Sequence, residues 1–236
     1  MSSGGARFLG QLPLHGGWSL LHFSDPEPRR PLPPGQLAAV TTERGRLTRP
    51  VYQRGAGTLA LLLEPPAHPD ALADTAREDP VNLSYEPDGG FEVVPEPGPT
   101  LLLGVDSGLG AILDLARRLG EPPLLVIVGG HAGVPATPRP SRFLTPRLPP
   151  EAIAALPQLE EAGIVSRVAL QEWRPGCFDE GPLALLRRYL AELADRERAA
   201  LRLYAAAPES DLDADLPGLR ASLADVQLVE VPREHR

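Results

Sequence analysis

The residues best placed to do chemistry lie in a glycine-rich turn. Leu101-Leu-Leu-Gly-Val-Asp-Ser-Gly-Leu-Gly110 runs from a predicted buried strand into a predicted helix. Free N–H groups and the positive end of a helix favour an anion, and glycine lets a phosphate approach the backbone closely. Asp106 adds a carboxylate that could hold a ribose hydroxyl or cap the helix. The candidate nucleotide-binding residues of this turn are Gly104, Asp106, Ser107 and Gly108.

Two other chemistries could use this turn, and both fit poorly. Ser107 could be a hydrolase nucleophile, but that motif needs glycine two residues before and after the serine, where Val105 and Leu109 stand. An S-adenosylmethionine methyltransferase would need an acidic residue at the end of the next strand to hold the ribose. The next predicted strand, Leu124–Val128, is followed by Gly129-Gly130-His131 instead.

The sequence around the turn supplies the strands and helices needed to position it. Leu101–Leu103 and Leu124–Val128 are short apolar runs typical of buried strands, and Gly110–Leu119 carries apolar residues at helical spacing. Strands alternating with helices predict a doubly wound, mostly parallel sheet. Further predicted helices are Gly181–Ala200 and, with a kink at Pro157, Glu151–Ala162; further predicted strands are Ile164–Leu170, Leu201–Ala206 and Val226–Val231.

The first half of the sequence consists of short strand-like runs bounded by Gly and Pro. These runs are Trp18–Phe23, Gln36–Thr41, Thr58–Glu64, Val81–Tyr85 and Phe91–Val94. Glu86–Gly90 suits a hairpin turn between the last two. The pattern predicts a small antiparallel β-barrel or sandwich. The Pro95–Pro99 stretch marks a boundary, so we expect a barrel domain at 1–97 and a nucleotide-binding α/β domain at 98–236.

Composition and charge exclude several classes of protein. The net charge is −8 and no Lys/Arg-rich run stands out, which disfavours nucleic acid and anionic membranes as partners. No apolar stretch approaches the length of a membrane span, and no signal peptide is apparent, so we expect a cytoplasmic protein. A single cysteine, Cys177, excludes an internal disulfide or a multi-cysteine metal site.

Five motifs, in their order along the chain, resemble those of the ferredoxin–NADP reductase superfamily. They are Pro34-Gly35-Gln36, Arg49-Pro50-Val51-Tyr52, Gly57-Thr58-Leu59, Asp79–Phe91 and Leu101–Ala111. The resemblance implies that Arg49, Pro50, Val51, Tyr52, Gly57 and Thr58 bind FAD. It also implies that the turn at 101–111 receives NAD(P)H. Arg49 would pair with a flavin phosphate, although a solvated barrel arginine is an equal alternative.

The finer likeness is to the electron-transfer subunit of dihydroorotate dehydrogenase and its bacterial relatives. It rests on Pro140-Ser-Arg-Phe143, Leu156–Arg167 and Arg174–Gly181. This sequence ends at Arg236 without the four-cysteine segment of those subunits, so we expect no iron–sulfur cluster.

Several positions depart from the family pattern. Tyr52 or Gln53 replaces the flavin serine, Val105 and Asp106 replace glycines, and Ala206-Ala207-Pro208 replaces a Cys-Gly-Pro. Two functions therefore remain open. One is a flavin-linked oxidoreductase that passes electrons between a nicotinamide nucleotide and a partner protein. The other is a degenerate, non-catalytic member of the family that acts as a binding or assembly subunit.

Overall fold

The N-terminal half is a closed six-stranded antiparallel barrel. The computed structural model describes residues 4–65, 69–93, 98–209 and 211–233. The barrel strands are hydrogen-bonded in the order β1-β2-β5-β4-β3-β6, and β6 closes on β1. They are β1 (Gly4–Pro13), β2 (Ser19–Ser24), β3 (Leu37–Thr42), β4 (Gly45–Gly55), β5 (Thr58–Leu63) and β6 (Pro80–Tyr85).

Alternating burial explains why these runs form a barrel. Leu21 and Phe23 of β2, and Val81 and Leu83 of β6, point into the barrel while their neighbours are more exposed. Strand β4 carries a bulge between Val51 and Gln53 where it pairs with β5. Bulges bend a strand and increase its twist, which helps a small sheet to close.

The C-terminal half is a five-stranded, wholly parallel sheet in the order β11-β8-β7-β12-β13, with helices on both faces. Its elements are β7 (Thr100–Val105), α1 (Leu109–Arg118), β8 (Leu125–Gly130), α2 (Pro157–Glu161), β11 (Ser166–Leu170), α3 (Gly181–Ala191), α4 (Asp195–Arg198), β12 (Arg202–Pro208), α5 (Leu216–Ser222) and β13 (Asp225–Val231). A two-residue pair, β9 (Arg139–Pro140) and β10 (Ala154–Ala155), lies in the β8–β11 connection. Single 3₁₀ turns span His15–Gly17, Asp70–Leu72 and Asp106–Gly108.

The predicted fold class, a barrel followed by a doubly wound α/β domain, is confirmed. The two halves share one hydrophobic cluster, in which Trp18, Leu62 and Phe91 of the first half pack with Leu109 and Ile112 of the second. The boundary at residue 97 stays a prediction, because residues 94–97 lie outside the described part of the chain.

Three predicted elements differ from the structure. No strand forms at 91–93, and Val94 lies outside the described residues; the ring of Phe91 instead packs edge-on against Tyr204, with centroids 5.5 Å apart. Pro157 begins α2 rather than kinking a longer helix, because proline suits the first helical turn. The helix predicted at Gly181–Ala200 is two helices, α3 and α4.

Within the described ranges, no helix has both the length and the apolar character needed to cross a membrane. The same residues contain no cluster of three or more His, Cys, Asp or Glu side chains arranged to hold a metal ion.

Candidate functional site

A cleft of about 1440 Å³ separates one end of the barrel from the carboxyl edge of the parallel sheet. Strands β8 and β11 lie on one side of β7, and the later strands β12 and β13 lie on its other side. The direction in which strands are added to the sheet therefore reverses between β7 and β12. Ligands of open α/β sheets bind at such a switch point. Asp106, Ser107 and Pro208 line the cleft there, and Arg49 and Glu64 line it from the barrel.

Asp106 has an unusual backbone conformation. Its φ is +43°, in the left-handed region that favours glycine and, among other residues, Asn and Asp. Its carboxylate accepts a hydrogen bond of 2.7 Å from the backbone N–H of Ala132. A Cβ on Gly130 would lie 2.4 Å from the Asp106 Oδ1, so only glycine leaves room for this contact. The turn thus ties itself to the loop that follows β8.

The Asp106 carboxyl group is buried, at 9% exposure. Burial raises its pKa above the ordinary range for aspartate, and hydrogen bonds from the backbone of Ala132 and His131 oppose that shift. Those N–H groups are natural donors for an anionic ligand. Here the protein's own carboxylate already occupies them.

The glycines of the turn make room for protein rather than ligand. A Cβ on Gly108 would lie 2.1 Å from the carbonyl oxygen of Ala206, so α1 begins in direct contact with the backbone of β12. A Cβ on Gly104 would meet Ile112 at 3.3 Å, and one on Gly110 would meet Leu62 at 3.4 Å. Ser107 between them is buried. The glycine pattern is explained by close packing on three sides of the turn.

Arg49 is the predicted phosphate-binding residue of the barrel, and each nitrogen of its guanidinium donates to a group of the same chain. Its Nε and Nη2 donate to the two carboxylate oxygens of Glu64, at 3.0 and 2.8 Å, and its Nη1 donates to the Thr48 carbonyl at 2.8 Å. The Arg49 side chain is only 4% exposed, against 21% for Glu64. Glu64 presents to Arg49 the two oxygens that a phosphate would present.

Tyr52 faces helix α1 instead of the cleft. The guanidinium of Arg117 stacks 4.3 Å from the centre of its ring and also donates to the Tyr52 carbonyl. Pro50 is buried, with its carbonyl beside Gly110, and Val51 points into the barrel core. Of the four residues of this motif, Arg49 lines the cleft, whereas Pro50, Val51 and Tyr52 do not.

Gly57 and Thr58 lie in the β4–β5 hairpin, away from the residues that line the cleft. Thr58 pairs with Gly55, six residues along β4 from Arg49. At about 3.4 Å per residue, this places the hairpin about 20 Å from Arg49. The two residues predicted to follow the flavin diphosphate are thus not assembled with Arg49.

Sequence reasoning missed two residues that shape the site. Glu64 stands at the end of the apolar run Thr58–Glu64, but nothing in its spacing reveals that it pairs with Arg49. Trp18 is completely buried, and its Nε1 donates to the Ala132 carbonyl at 2.9 Å. His131, which follows Gly129-Gly130 at the end of β8, lines the cleft and is exposed.

Comparison with known proteins shows a fold. Neither a family model nor a curated protein matches the chain. Among solved structures, the ferredoxin reductase of carbazole 1,9a-dioxygenase superposes with a TM-score of 0.66 at 14% identity, covering 98% of this chain and 68% of that one. The cytochrome P450 reductase GcoB of Amycolatopsis gives 0.68 at 16% identity, covering 98% and 70%.

A third solved structure matches over the full length of both proteins. The FAD/NAD-binding domain of nitric oxide dioxygenase from Vibrio cholerae superposes with a TM-score of 0.62 at 15% identity, covering 99% of this chain and 100% of that one. At such identities the likeness concerns the fold alone. The chain shares with these proteins a closed antiparallel barrel followed by a parallel α/β sheet.

Proposed function

We propose that this chain is a non-catalytic member of the reductase fold that acts as a binding or assembly subunit. The observation that carries the proposal is the Arg49–Glu64 pair. Arg49, the barrel arginine expected to bind a cofactor phosphate, is held through its Nε and Nη2 by a carboxylate of the same chain.

The groups that would receive a flavin or nicotinamide dinucleotide do not fit its diphosphate. Glu64 and Asp106 each place a carboxyl group in the cleft that such a cofactor would have to enter with its negatively charged phosphates. A phosphate oxygen about 4 Å from a carboxylate at a partly exposed site is repelled by about 4 kcal/mol, an affinity loss of about 1000-fold. The space beside Gly108, which a pyrophosphate would need, is occupied by the backbone of β12.

The second candidate is a flavin-linked oxidoreductase that passes electrons from a nicotinamide nucleotide to a partner protein, in the manner of dihydroorotate dehydrogenase electron-transfer subunits. The position and size of the cleft favour it, since the cleft lies at the switch point of the sheet. The names of the structural neighbours, which are reductases of ferredoxin, P450 and dioxygenase systems, support the same general kind of protein.

The visible absorbance of the purified protein separates the two candidates. We expect a colourless protein that stays colourless after incubation with FAD or FMN and gel filtration, and that does not accelerate the oxidation of NADH by an artificial acceptor. Flavin bands at near-unit occupancy together with NADH-dependent bleaching would overturn the proposal in favour of the oxidoreductase.

A further inference from the structure

Glu64 contacts Arg49 in the way that an anionic ligand would. Two nearly parallel N–H···O contacts join the guanidinium to the carboxylate, which is the arrangement that arginine makes with carboxylate and phosphate groups alike. A guanidinium as buried as that of Arg49 needs an anionic partner, because an unpaired buried charge is strongly destabilising.

Glu64 is the partner on the solvent side of the pair. Both residues line the cleft, and the Glu64 side chain is the more exposed of the two. Glu64 follows the last residue of β5 and precedes Pro65, so its backbone is outside the barrel ladder while Arg49 is fixed within β4. An anion entering from the cleft must therefore displace Glu64 to reach Arg49.

We propose that Glu64 determines the ligand specificity of the cleft: it stands in for a phosphate group on Arg49 and thereby excludes phosphate-bearing ligands. The inference rests on the proposed function. It implies that a phosphate or diphosphate site exists beneath Glu64 and becomes accessible once this one carboxylate is neutralised.

A second ion pair in the same cleft supplies a matched control. Arg46 and Glu86 are also paired and also line the cleft, but their side chains are 55% and 25% exposed. Glu86→Gln removes one negative charge from the cleft, as Glu64→Gln does, without removing a charged contact of a buried guanidinium. Any gain of anion binding from the change in overall cleft charge will appear in both variants.

The test is a titration of wild type, Glu64→Gln and Glu86→Gln with inorganic pyrophosphate at constant ionic strength, followed by thermal unfolding and calorimetry. We expect Glu64→Gln to melt below wild type without pyrophosphate and to recover saturably as it is added. Its affinity should exceed that of wild type and Glu86→Gln by about 100-fold or more, since only Glu64→Gln removes the charge that is in direct contact with Arg49. Equal affinities in all three proteins, or equal gains in both variants, would overturn the inference.

Should Glu64→Gln fail to fold in buffer, the same titration is read by circular dichroism. Recovery of the folded spectrum with pyrophosphate supports the inference, and no recovery overturns it. The double variant Arg49→Gln/Glu64→Gln must lose the response, because a retained response would place the anion elsewhere. FAD binding by the wild type would refute the proposed function, whereas an unresponsive Glu64→Gln beside a wild type that binds no flavin refutes this inference alone.

Discussion

Two of the carboxyl groups that line the cleft, those of Asp106 and Glu64, accept hydrogen bonds from the protein itself. Asp106 holds the N–H groups of the loop after β8, and Glu64 holds the guanidinium of Arg49. Left-handed backbone in a non-glycine residue is strained and persists only where surrounding contacts enforce it. The hydrogen bonds to Asp106 are such contacts, so they hold the turn in its shape.

Gly108 tests the packing of this turn. A Cβ at Gly108 meets the backbone of β12, which cannot move away as a side chain could, so we expect Gly108→Ala to destabilise the protein by about 3 kcal/mol or more. Gly218→Ala is the control: a Cβ there has no neighbour within 4 Å, and alanine in the interior of α5 should stabilise by about 0.5–1 kcal/mol. Urea unfolding of both variants measures the difference, and similar effects of the two substitutions would contradict the packing argument.

Asp25 contributes to stability in a way that depends on pH. Burial alone would raise the pKa of this carboxyl, but hydrogen bonds from Arg54 and Tyr85 outweigh burial and lower it below the ordinary value for aspartate. The ionised group therefore stabilises the fold at pH values above the unfolded pKa of about 3.9, and this stabilisation is lost as the pH falls through that value to the folded pKa.

We accordingly expect Asp25→Asn to be less stable than wild type at pH 7, with a difference that narrows as the pH falls below about 4. The measurement is urea unfolding across this range. Asp74→Asn removes an exposed carboxylate paired with Arg44, so it should change stability by no more than about 1 kcal/mol at any pH. A difference between Asp25→Asn and wild type that is constant with pH would refute the role of the Asp25 charge.

At the scale of elements, helix α1 connects the two halves of the molecule. One side of α1 packs in the cluster that covers the sheet, and the helix also contacts β4 of the barrel. Asp114 accepts a hydrogen bond of 3.1 Å from the Gly35 N–H, and Arg118 donates to the Leu32 carbonyl at 2.6 Å. Burial raises the pKa of Asp114. The Pro34-Gly35-Gln36 turn is thus a docking point for α1.

Trp18 joins the barrel to the loop after β8. Trp18→Phe keeps most of the ring but removes the donor to the Ala132 carbonyl, and we expect a loss of about 1–3 kcal/mol because that carbonyl loses its partner. Trp173 is 73% exposed, so Trp173→Phe is the matched control and should stay within about 0.5 kcal/mol of wild type. Chemical denaturation compares the two; an unaffected Trp18→Phe would show that the hydrogen bond does not support the loop.

Periodicity predicted most elements because burial on one face leaves a local pattern in the sequence. It failed where a residue's environment comes from distant parts of the chain. Strand β4 was not recognised, since Arg49 and Tyr52 interrupt its apolar pattern and their partners, Glu64 and Arg117, lie elsewhere. Phe91 looked like a strand residue because its real neighbour, Tyr204, is more than a hundred positions away.

The same reason limits what the sequence could say of the site. Arg49 and two residues of the turn, Asp106 and Ser107, were candidate binding residues, and all three line the cleft. The groups that contact the candidate residues come from distant parts of the chain: Glu64 binds Arg49, and Ala206 packs against Gly108. Spacing along one chain carries no signal of such pairs.

At the scale of the whole molecule, the two halves share part of their core. Trp18, Leu62 and Phe91 share a buried cluster with Leu109 and Tyr204, so neither half keeps its packing when the other unfolds. We expect a single calorimetric transition whose calorimetric and van't Hoff enthalpies agree. Two resolved transitions would contradict the shared core.

The most direct test of the account is the affinity of the wild-type chain for FAD, measured by isothermal titration calorimetry. With Glu64 on Arg49 and Gly108 against β12, the account predicts no saturable binding up to millimolar FAD, a free energy weaker than about −4 kcal/mol. Saturable binding of one FAD per chain at micromolar concentration would contradict this prediction. It would show that the carboxyl groups of Glu64 and Asp106 do not prevent the cofactor from binding.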